Sequence, residues 1–181
     1  MSEKFSELEP KHIDFIQQQA LFFVGTAADE GTVNVSPKGM DSFRVLGPNR
    51  IAWLNLTGSG NETAAHMLEN PRMTIMFCSF DKQPLILRLY GSAKAIHPRD
   101  AEWSELIDLF PGFTGARQIF DMTVNLVQTS CGYAVPLFEL KGERPTLTKW
   151  ADGRGRESIE QYWRDRNTLS LDGKDTGIIT P

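Results

Sequence analysis

Short apolar segments separated by turn residues account for most of the chain before residue 140. Residues 20–28 form one such segment, and residues 32–36, which alternate apolar and polar side chains, follow it after an Asp-Glu-Gly turn. Because this turn chemistry suits a tight connection, the two segments predict a β-hairpin. A Gly-Pro-Asn turn separates residues 43–46 from residues 50–56 and predicts a second hairpin.

Further apolar segments follow the second predicted hairpin. Residues 73–78 and 85–91 have strand length and are apolar at successive positions, which favours strands that are covered on more than one face. Residues 122–140 return to strand character. Strands joined mostly by tight turns, with few crossover helices, predict an antiparallel barrel that closes its own edges. We therefore expect a mainly β fold with inserted helices.

Three segments of this region carry helical signals. Residues 10–19 place apolar side chains at helical spacing after a proline. A short helix over residues 61–69 is stopped by Asn70-Pro71, since the residue before a proline disfavours helical dihedrals. A third helix begins near Pro98 and runs toward Asp108.

The composition changes at Trp150. The residues that follow are polar and rich in glycine, although residues 158–166 have apolar side chains on one side of a possible helix. We interpret residues 1–149 as the folded domain and residues 150–181 as a helical and irregular appendage.

Composition excludes several classes of protein. The chain has 181 residues, 40% hydrophobic and 23% charged, with a net charge of −4, which suits a compact domain. Its apolar run at residues 20–24 is far shorter than the roughly 20 residues of a membrane span. The N-terminus lacks the pattern of a secretory or transit peptide, so we expect a cytoplasmic protein that does not bind membranes. Because the basic residues are dispersed, we expect no nucleic-acid partner.

Cysteine and histidine usage predicts neither a disulfide framework nor a metal site. Cys78 and Cys131 are the two cysteines, too few for a framework, and both lie in predicted strands. The three histidines, His12, His66 and His97, have no partners at the spacing of a zinc site.

Two polar segments together predict an anion site. The first is residues 34–39, with Lys38 at the end of a strand, and the second is the glycine-rich turn at residues 57–63, which leads into a helix. The first amides of a helix have no intrahelical acceptor and attract anions, and Lys38 adds a positive charge. The candidate ligands of a phosphorylated cofactor are Lys38, Ser59, Gly60, Asn61, Glu62 and Thr63. Alternatively, Ser59 and Glu62 form a capping box, which satisfies the same amides without a ligand.

Two further features break the apolar strand pattern. Arg88 lies in an otherwise apolar strand and needs a partner, either a ligand anion or carbonyl or an acidic neighbour such as Asp41. The segment Thr129-Ser130-Cys131-Gly132 puts small polar residues and a glycine into a long strand. This break marks either the close approach of a ligand or a bulge.

Three segments carry a resemblance to a known family. Residues 34–39 (NVSPKG), 60–73 (GNETAAHMLENPRM) and 87–93 (LRLYGSA) resemble the corresponding segments of the pyridoxamine 5′-phosphate oxidase-like proteins, which are FMN-binding split β-barrels. The match extends over roughly residues 15–140. It implies a six-stranded antiparallel Greek-key barrel, a homodimer, and FMN in a cleft at the dimer interface.

The same resemblance implies which residues bind FMN. By position, the residues on the strand at 33–38, at the end of the strand at 50–56 and on the glycine-rich turn hold the flavin and its phosphate. Arg88 faces the flavin, and the segment at 129–132 reaches the cofactor from the partner subunit. The implied cofactor residues are Ser36, Lys38, Leu54, Asn55, Ser59, Gly60, Asn61, Glu62, Thr63, Arg88, Thr129, Ser130 and Cys131.

Departures from the family pattern limit the predicted activity. Ser36 stands where the vitamin-making oxidases have an arginine, and Glu62-Thr63 stands where they have an Arg-Lys pair. The tail also lacks their substrate-binding motif. We expect an FMN-dependent oxidoreductase that acts on a small molecule other than pyridoxamine phosphate, with no catalytic residue assigned.

Two alternatives keep the barrel and change the function. The first is a module that binds or stores flavin, haem or a deazaflavin without turnover, in which His66 or His97 would serve as a haem ligand. The second is an interaction domain without a ligand, in which Ser59 and Glu62 only cap a helix.

Overall fold

The computed structural model describes residues 2–179, which form eight strands and four helices. No helix within these residues is long and apolar enough to cross a bilayer. In chain order the elements are β1 (Glu3–Phe5), α1 (Pro10–Gln17), β2 (Phe22–Thr26), β3 (Asn34–Lys38), β4 (Phe43–Gly47), β5 (Arg50–Leu56), α2 (Glu62–Glu69), β6 (Arg72–Cys78), β7 (Ile86–Ile96), α3 (Trp103–Ile107), β8 (Ala116–Ser130) and α4 (Thr146–Arg166).

All eight strands belong to one antiparallel sheet. Its order is β3-β2-β6-β7-β8-β5-β4, and β1 pairs with β8. The mainly antiparallel β architecture with inserted helices is confirmed. The prediction that the barrel closes its own edges is wrong, because β3 and β4 end the sheet and no ladder joins them within residues 2–179. The sheet also has eight strands instead of six, and one of the additional strands, β1, precedes the segments that carry the family resemblance.

The inner face of the sheet is packed with aromatic side chains. The rings of Trp53 and Phe120 stack with centroids 4.5 Å apart, and Phe22, Phe43 and Phe77 pack edge to face or tilted beside them. Aromatic pairs of this geometry stabilise a core beyond the area that they bury. A second buried cluster lies on the other side of β5, where Leu54 belongs to a group that α3 covers. Strand β5 is therefore covered on both faces.

The end of β8 differs from the prediction. The strand begins at Ala116, earlier than predicted, and ends at Ser130, so the predicted strand beyond this residue is wrong. Gly132 has a φ of 62°, which an extended strand does not accommodate, and Pro136 cannot donate a hydrogen bond to a ladder. Residues 131–145 contain turns and irregular segments instead.

The C-terminal residues pack against the sheet through a small core of their own. Helix α4 is interrupted at Gly155, whose φ of 74° is not helical, and the predicted helix at residues 158–166 is its second half. Ile159 and Trp163 are buried there together with Ile178. The chain beyond α4 is thus held against the domain at several points.

Candidate functional site

A cavity of about 240 Å³ lies where β3 faces the start of α2 and the start of β8. The two strands are distant in the order of the sheet, so the curvature of the sheet brings them together. The cavity is lined by Asn34, Ser36, Lys38, Asn55, Leu56, Gly58, Ser59, Gly60, Asn61, Glu62, Thr63 and Arg117.

Strand β3 supplies one wall of this cavity through its alternate residues. Asn34, Ser36 and Lys38 pair with residues of β2 that are buried, so all three point to the inner side of the sheet. Val35, between them, points outward and is 68% exposed. The alternation of this strand therefore gathers an amide, a hydroxyl and an ammonium group on the cavity wall.

The glycine-rich turn supplies the opposite wall. Helix α2 begins at Glu62 with Asn61 as its N-cap, and the Asn61 side chain makes no capping hydrogen bond. The predicted capping box of Ser59 and Glu62 is therefore wrong, since Ser59 lies before the cap. The Glu62 carboxylate instead accepts a hydrogen bond of 2.8 Å from the backbone N–H of Leu171.

Arg117 also lines the cavity, and it was not predicted from the sequence. Its side chain is 2% exposed; Nη1 donates to Oδ1 of Asn167 at 2.7 Å, and Nη2 donates to the carbonyl of Gly60 at 3.0 Å. It forms no ion pair with a carboxylate of the described residues. Burial lowers the pKa of Arg117 to about 9, against smaller opposing effects of Tyr162 and Glu62.

Lys38 is the second cation of the cavity. Its Nζ lies 5.3 Å from the centroid of the Trp53 ring, and its side chain likewise has no ion pair with a described carboxylate. Burial, followed by the positive charge of Arg117, lowers the pKa of Lys38 to about 8 from an ordinary value of 10.5. Two cations thus face one small cavity, and the charge of Arg117 disfavours the charged form of Lys38.

Several hydrogen-bond donors of the cavity also lack partners. Ser36 Oγ and Arg117 Nε are buried without a hydrogen-bond partner. Thr63 Oγ1 accepts a hydrogen bond of 3.2 Å from Asn34, which leaves its own O–H available as a donor. Since buried polar groups are normally satisfied, unpartnered donors beside two unpaired cations fit an anionic ligand with several acceptor oxygens.

The cavity is large enough for only one end of a cofactor. Pockets that enclose an entire drug-sized ligand have volumes of about 300–1,000 Å³. A second, more apolar pocket of about 590 Å³ shares one lining residue with it, Lys38. The apolar walls of this second pocket come from Leu21, Pro37, Met40, Leu140, Leu147 and Trp150. The pair of pockets fits a ligand with an anionic end and a larger apolar body.

Five of the predicted cofactor residues lie outside this cavity. Leu54 is buried in the core that α3 covers. Arg88 Nη1 donates to Ser130 Oγ at 3.0 Å, across the pairing of β7 and β8, while the predicted alternative Asp41 pairs with Arg44. The remaining two, Thr129 and the exposed Cys131, lie beside Ser130. The cavity brings together the other eight, Ser36, Lys38, Asn55, Ser59, Gly60, Asn61, Glu62 and Thr63.

The histidines are internal residues of the domain. His66 is fully buried, with its Nδ1 3.0 Å from Thr26 Oγ1. His97 is also buried, and burial lowers its pKa to about 4. Within residues 2–179, no group of three His, Cys, Asp or Glu side chains could hold a metal ion.

Comparisons with known proteins give consistent matches. A family model for pyridoxamine 5′-phosphate oxidase matches residues 8–131. The Aspergillus flavus pyridoxamine 5′-phosphate oxidase family protein ustO is 38% identical over 178 residues, which cover 88% of this chain and 72% of that protein.

Two solved structures are similar in fold. A candidate pyridoxamine 5′-phosphate oxidase from Lactobacillus delbrueckii matches with a TM-score of 0.55 and 18% identity, over 68% of this chain and 94% of its own. An FAD-binding protein from Mesorhizobium loti matches with a TM-score of 0.51 and 12% identity, over 71% of this chain and 97% of its own.

Because Lys38 forms no ion pair with a described carboxylate, its charge should lower the free energy of unfolding in a way that depends on pH. Replacing it in Lys38→Met should raise the free energy of unfolding at pH 7 by roughly 1–3 kcal/mol, because a buried ammonium is removed. Between pH 8 and 10.5 the folded protein releases the Lys38 proton before the unfolded chain does, so the stability of the unaltered protein should rise in this range. This rise should be smaller in Lys38→Met, where Arg117, with a folded-state pKa of about 9, is the remaining contributor above pH 9. Urea unfolding across pH 7–10.5 measures both effects.

The exposed Lys82 provides the control. Lys82→Met should leave both the stability at pH 7 and its dependence on pH unchanged. A Lys38→Met variant that is less stable than the unaltered protein at pH 7 would show that the ammonium is satisfied in the folded state.

Proposed function

The chain belongs to the pyridoxamine 5′-phosphate oxidase family, and on this basis we propose that it is an FMN-dependent oxidoreductase. The family includes oxidases and commonly binds flavin. The proposed site holds the phosphate of FMN in the cavity between Lys38 and Arg117. The flavin body extends into the adjoining apolar pocket, which shares Lys38.

One observation carries this proposal: two cations face a small cavity, and neither has a carboxylate partner among the described residues. An uncompensated buried charge costs several kcal/mol, so such a pair persists only where something else compensates it. A phosphate monoester carries a charge of about −1.5 to −2 at pH 7 and three acceptor oxygens. It would neutralise both cations and accept hydrogen bonds from Ser36 and Arg117, whose donors are unpartnered.

Bound FMN would supply hydride or electron transfer, and the residues of this chain would bind and orient it. Lys38 and Arg117 bind the phosphate, and the hydroxyls of Ser36 and Thr63 orient it. Pyridoxamine phosphate is not the proposed substrate, because Ser36 and Glu62-Thr63 replace the basic residues of the vitamin-making oxidases. We propose a small organic substrate of a different class.

A second copy of the chain is the proposed partner. The outer face of the sheet carries apolar side chains at Val33, which is 72% exposed, and at Val35. Phe23, Met76 and Leu126 are half-buried on the same face. Apolar faces of this kind commonly mark protein contacts. A homodimer formed through this face would give Arg88 and the segment at 129–132, which lie outside the cavity, a route to the FMN of the partner.

The haem alternative finds little support in the structure. Both of its candidate ligands, His66 and His97, are buried, and His66 contacts Thr26. A flavin module without turnover differs from the proposed enzyme only in its response to reductants and acceptors, so the experiment below separates the two.

The purified protein should retain FMN after incubation and desalting, with the visible absorption of oxidised flavin. Lys38→Met should weaken FMN binding by about 10- to 100-fold, the equivalent of one lost hydrogen bond to a charged group. Lys82→Met should bind FMN normally. Fluorescence titration measures the affinities, and reduction of bound FMN by NADH or NADPH followed by reoxidation with small acceptors tests turnover.

Absence of FMN binding by the unaltered protein would contradict the proposed cofactor. Tight binding of FMN that is inert to both reductants and acceptors would favour the storage module over the enzyme.

If the chain dimerises through this outer face, a charge introduced there should disrupt the dimer. Val35→Glu introduces a charge among the apolar side chains of this face and should convert the dimer to a monomer in sedimentation velocity. Leu109→Glu places the same charge at an exposed position next to α3 and should leave the dimer intact. A monomeric unaltered protein at micromolar concentration would overturn the proposed assembly.

A further inference from the structure

The C-terminal segment is built into the wall of the anion cavity. Trp163 Nε1 donates to Thr57 Oγ1 at 2.8 Å, at the start of the glycine-rich turn. Farther along, the N–H of Leu171 binds Glu62, and Lys174 pairs with Glu69 at 2.7 Å on the same helix. The residues after α4 therefore follow the turn and the helix that border the cavity.

Asn167 is the residue of this segment that reaches farthest into the wall. Its side chain is fully buried, and its Oδ1 accepts the 2.7 Å hydrogen bond from Arg117 Nη1. Its Nδ2 donates to the carbonyls of Gly58 and Ser59 at 3.1 and 3.3 Å. One carboxamide thus holds both the guanidinium and the glycine-rich turn.

These contacts orient the turn as well as Arg117. The C=O of a trans peptide and the following N–H point in opposite directions, and the described chain has no cis peptide. Because the carbonyls of Gly58 and Ser59 are directed at Asn167, the N–H groups of Ser59 and Gly60 point away from it. Both residues line the cavity, and an anion bound on the side opposite Asn167 would meet these amides.

Whether residue 167 is neutral or negatively charged decides how much positive charge Arg117 presents to a ligand. A carboxamide oxygen orients Arg117 without neutralising it, so its positive charge remains available to a ligand. A carboxylate at the same place would form an ion pair with Arg117 and compete with the anion. The other guanidinium contacts, with the carbonyls of Gly60 and Gly58, are also with neutral groups.

We propose that Asn167 is a positioning residue of the phosphate site, which holds Arg117 and the glycine-rich turn in the arrangement that binds an anion. This inference rests on the proposed function for the identity of the ligand, FMN. It also changes the interpretation of the C-terminal residues, because a segment expected to be an appendage completes the site.

The test compares FMN with riboflavin, which lacks the phosphate, in the full-length protein. Asn167→Asp should reduce the affinity for FMN by about 10- to 100-fold, the range measured for supporting residues at metal sites, and should leave the affinity for riboflavin unchanged. Leu169→Asp adds the same charge at an exposed position nearby and should change neither affinity. If Asn167→Asp does not fold, Asn167→Ser, which is neutral but too short to reach Arg117, serves in its place.

Equal FMN affinity in the variant and the unaltered protein would overturn the inference. An equal loss of FMN and riboflavin affinity would also overturn it, because the role of Asn167 would then be general stability. A parallel arm measures the thermal stabilisation by inorganic phosphate. If the unaltered protein binds phosphate but no flavin, and Asn167→Asp abolishes the effect of phosphate, the proposed cofactor fails while the role of Asn167 stands. If the unaltered protein binds neither, both proposals fail.

Discussion

The central constraint on this protein is a cavity lined by one buried and one half-buried positive charge, neither of which forms an ion pair with a described carboxylate. Folding removes Arg117 from water and places Lys38 in the same cavity, and the described residues provide no carboxylate that pairs with either. Desolvation lowers the pKa values of both side chains, and the positive charge of Arg117 lowers that of Lys38 further. The free protein bears this cost, and an anion that enters the cavity relieves it. Lys38 and Arg117 therefore lower the stability of the free protein but favour the binding of an anion, a trade-off that is common at functional sites.

The fold generates this constraint from parts that lie far apart in the sequence. The alternation of β3 directs Ser36 and Lys38 inward, and the curvature of the sheet brings them opposite the start of β8, where Arg117 lies. The turn between β5 and α2 approaches from a third direction. Asn167, from the C-terminal segment, then connects the turn to Arg117. No two consecutive elements of the chain would form the site alone.

Local patterns predicted the strand, the turn and the helix that border the cavity, and the family resemblance supplied Ser36 and Asn55. The inward residues of β3 follow from strand alternation. The glycine-rich turn predicts the start of α2, and Asn70-Pro71 predicts its end. Eight of the thirteen predicted cofactor residues, together with Asn34, Leu56, Gly58 and Arg117, line the cavity. Leu54 lies outside the cavity because β5 is covered on both faces, so its apolar residues give no sign of which face points to the site.

Features that depend on distant contacts escaped prediction. Arg117 was missed because the strand was expected to begin at Met122, although an arginine preceding the apolar run from Ile119 was a usable signal. The capping box matched a common motif, yet Glu62 binds the backbone of Leu171, more than one hundred positions away. Tertiary contacts of this kind override local preference. Arg88 and the segment at 129–132 would need a second copy of the chain to reach a flavin.

Phosphorus NMR of bound FMN can show whether its phosphate lies between Lys38 and Arg117. Free FMN should titrate between its monoanion and dianion near pH 6. Bound to this protein, its phosphorus resonance should remain that of the dianion from pH 5 to pH 8, because Lys38 and Arg117 stabilise the doubly charged form. A bound phosphate that titrates near pH 6, as it does in solution, would contradict the account.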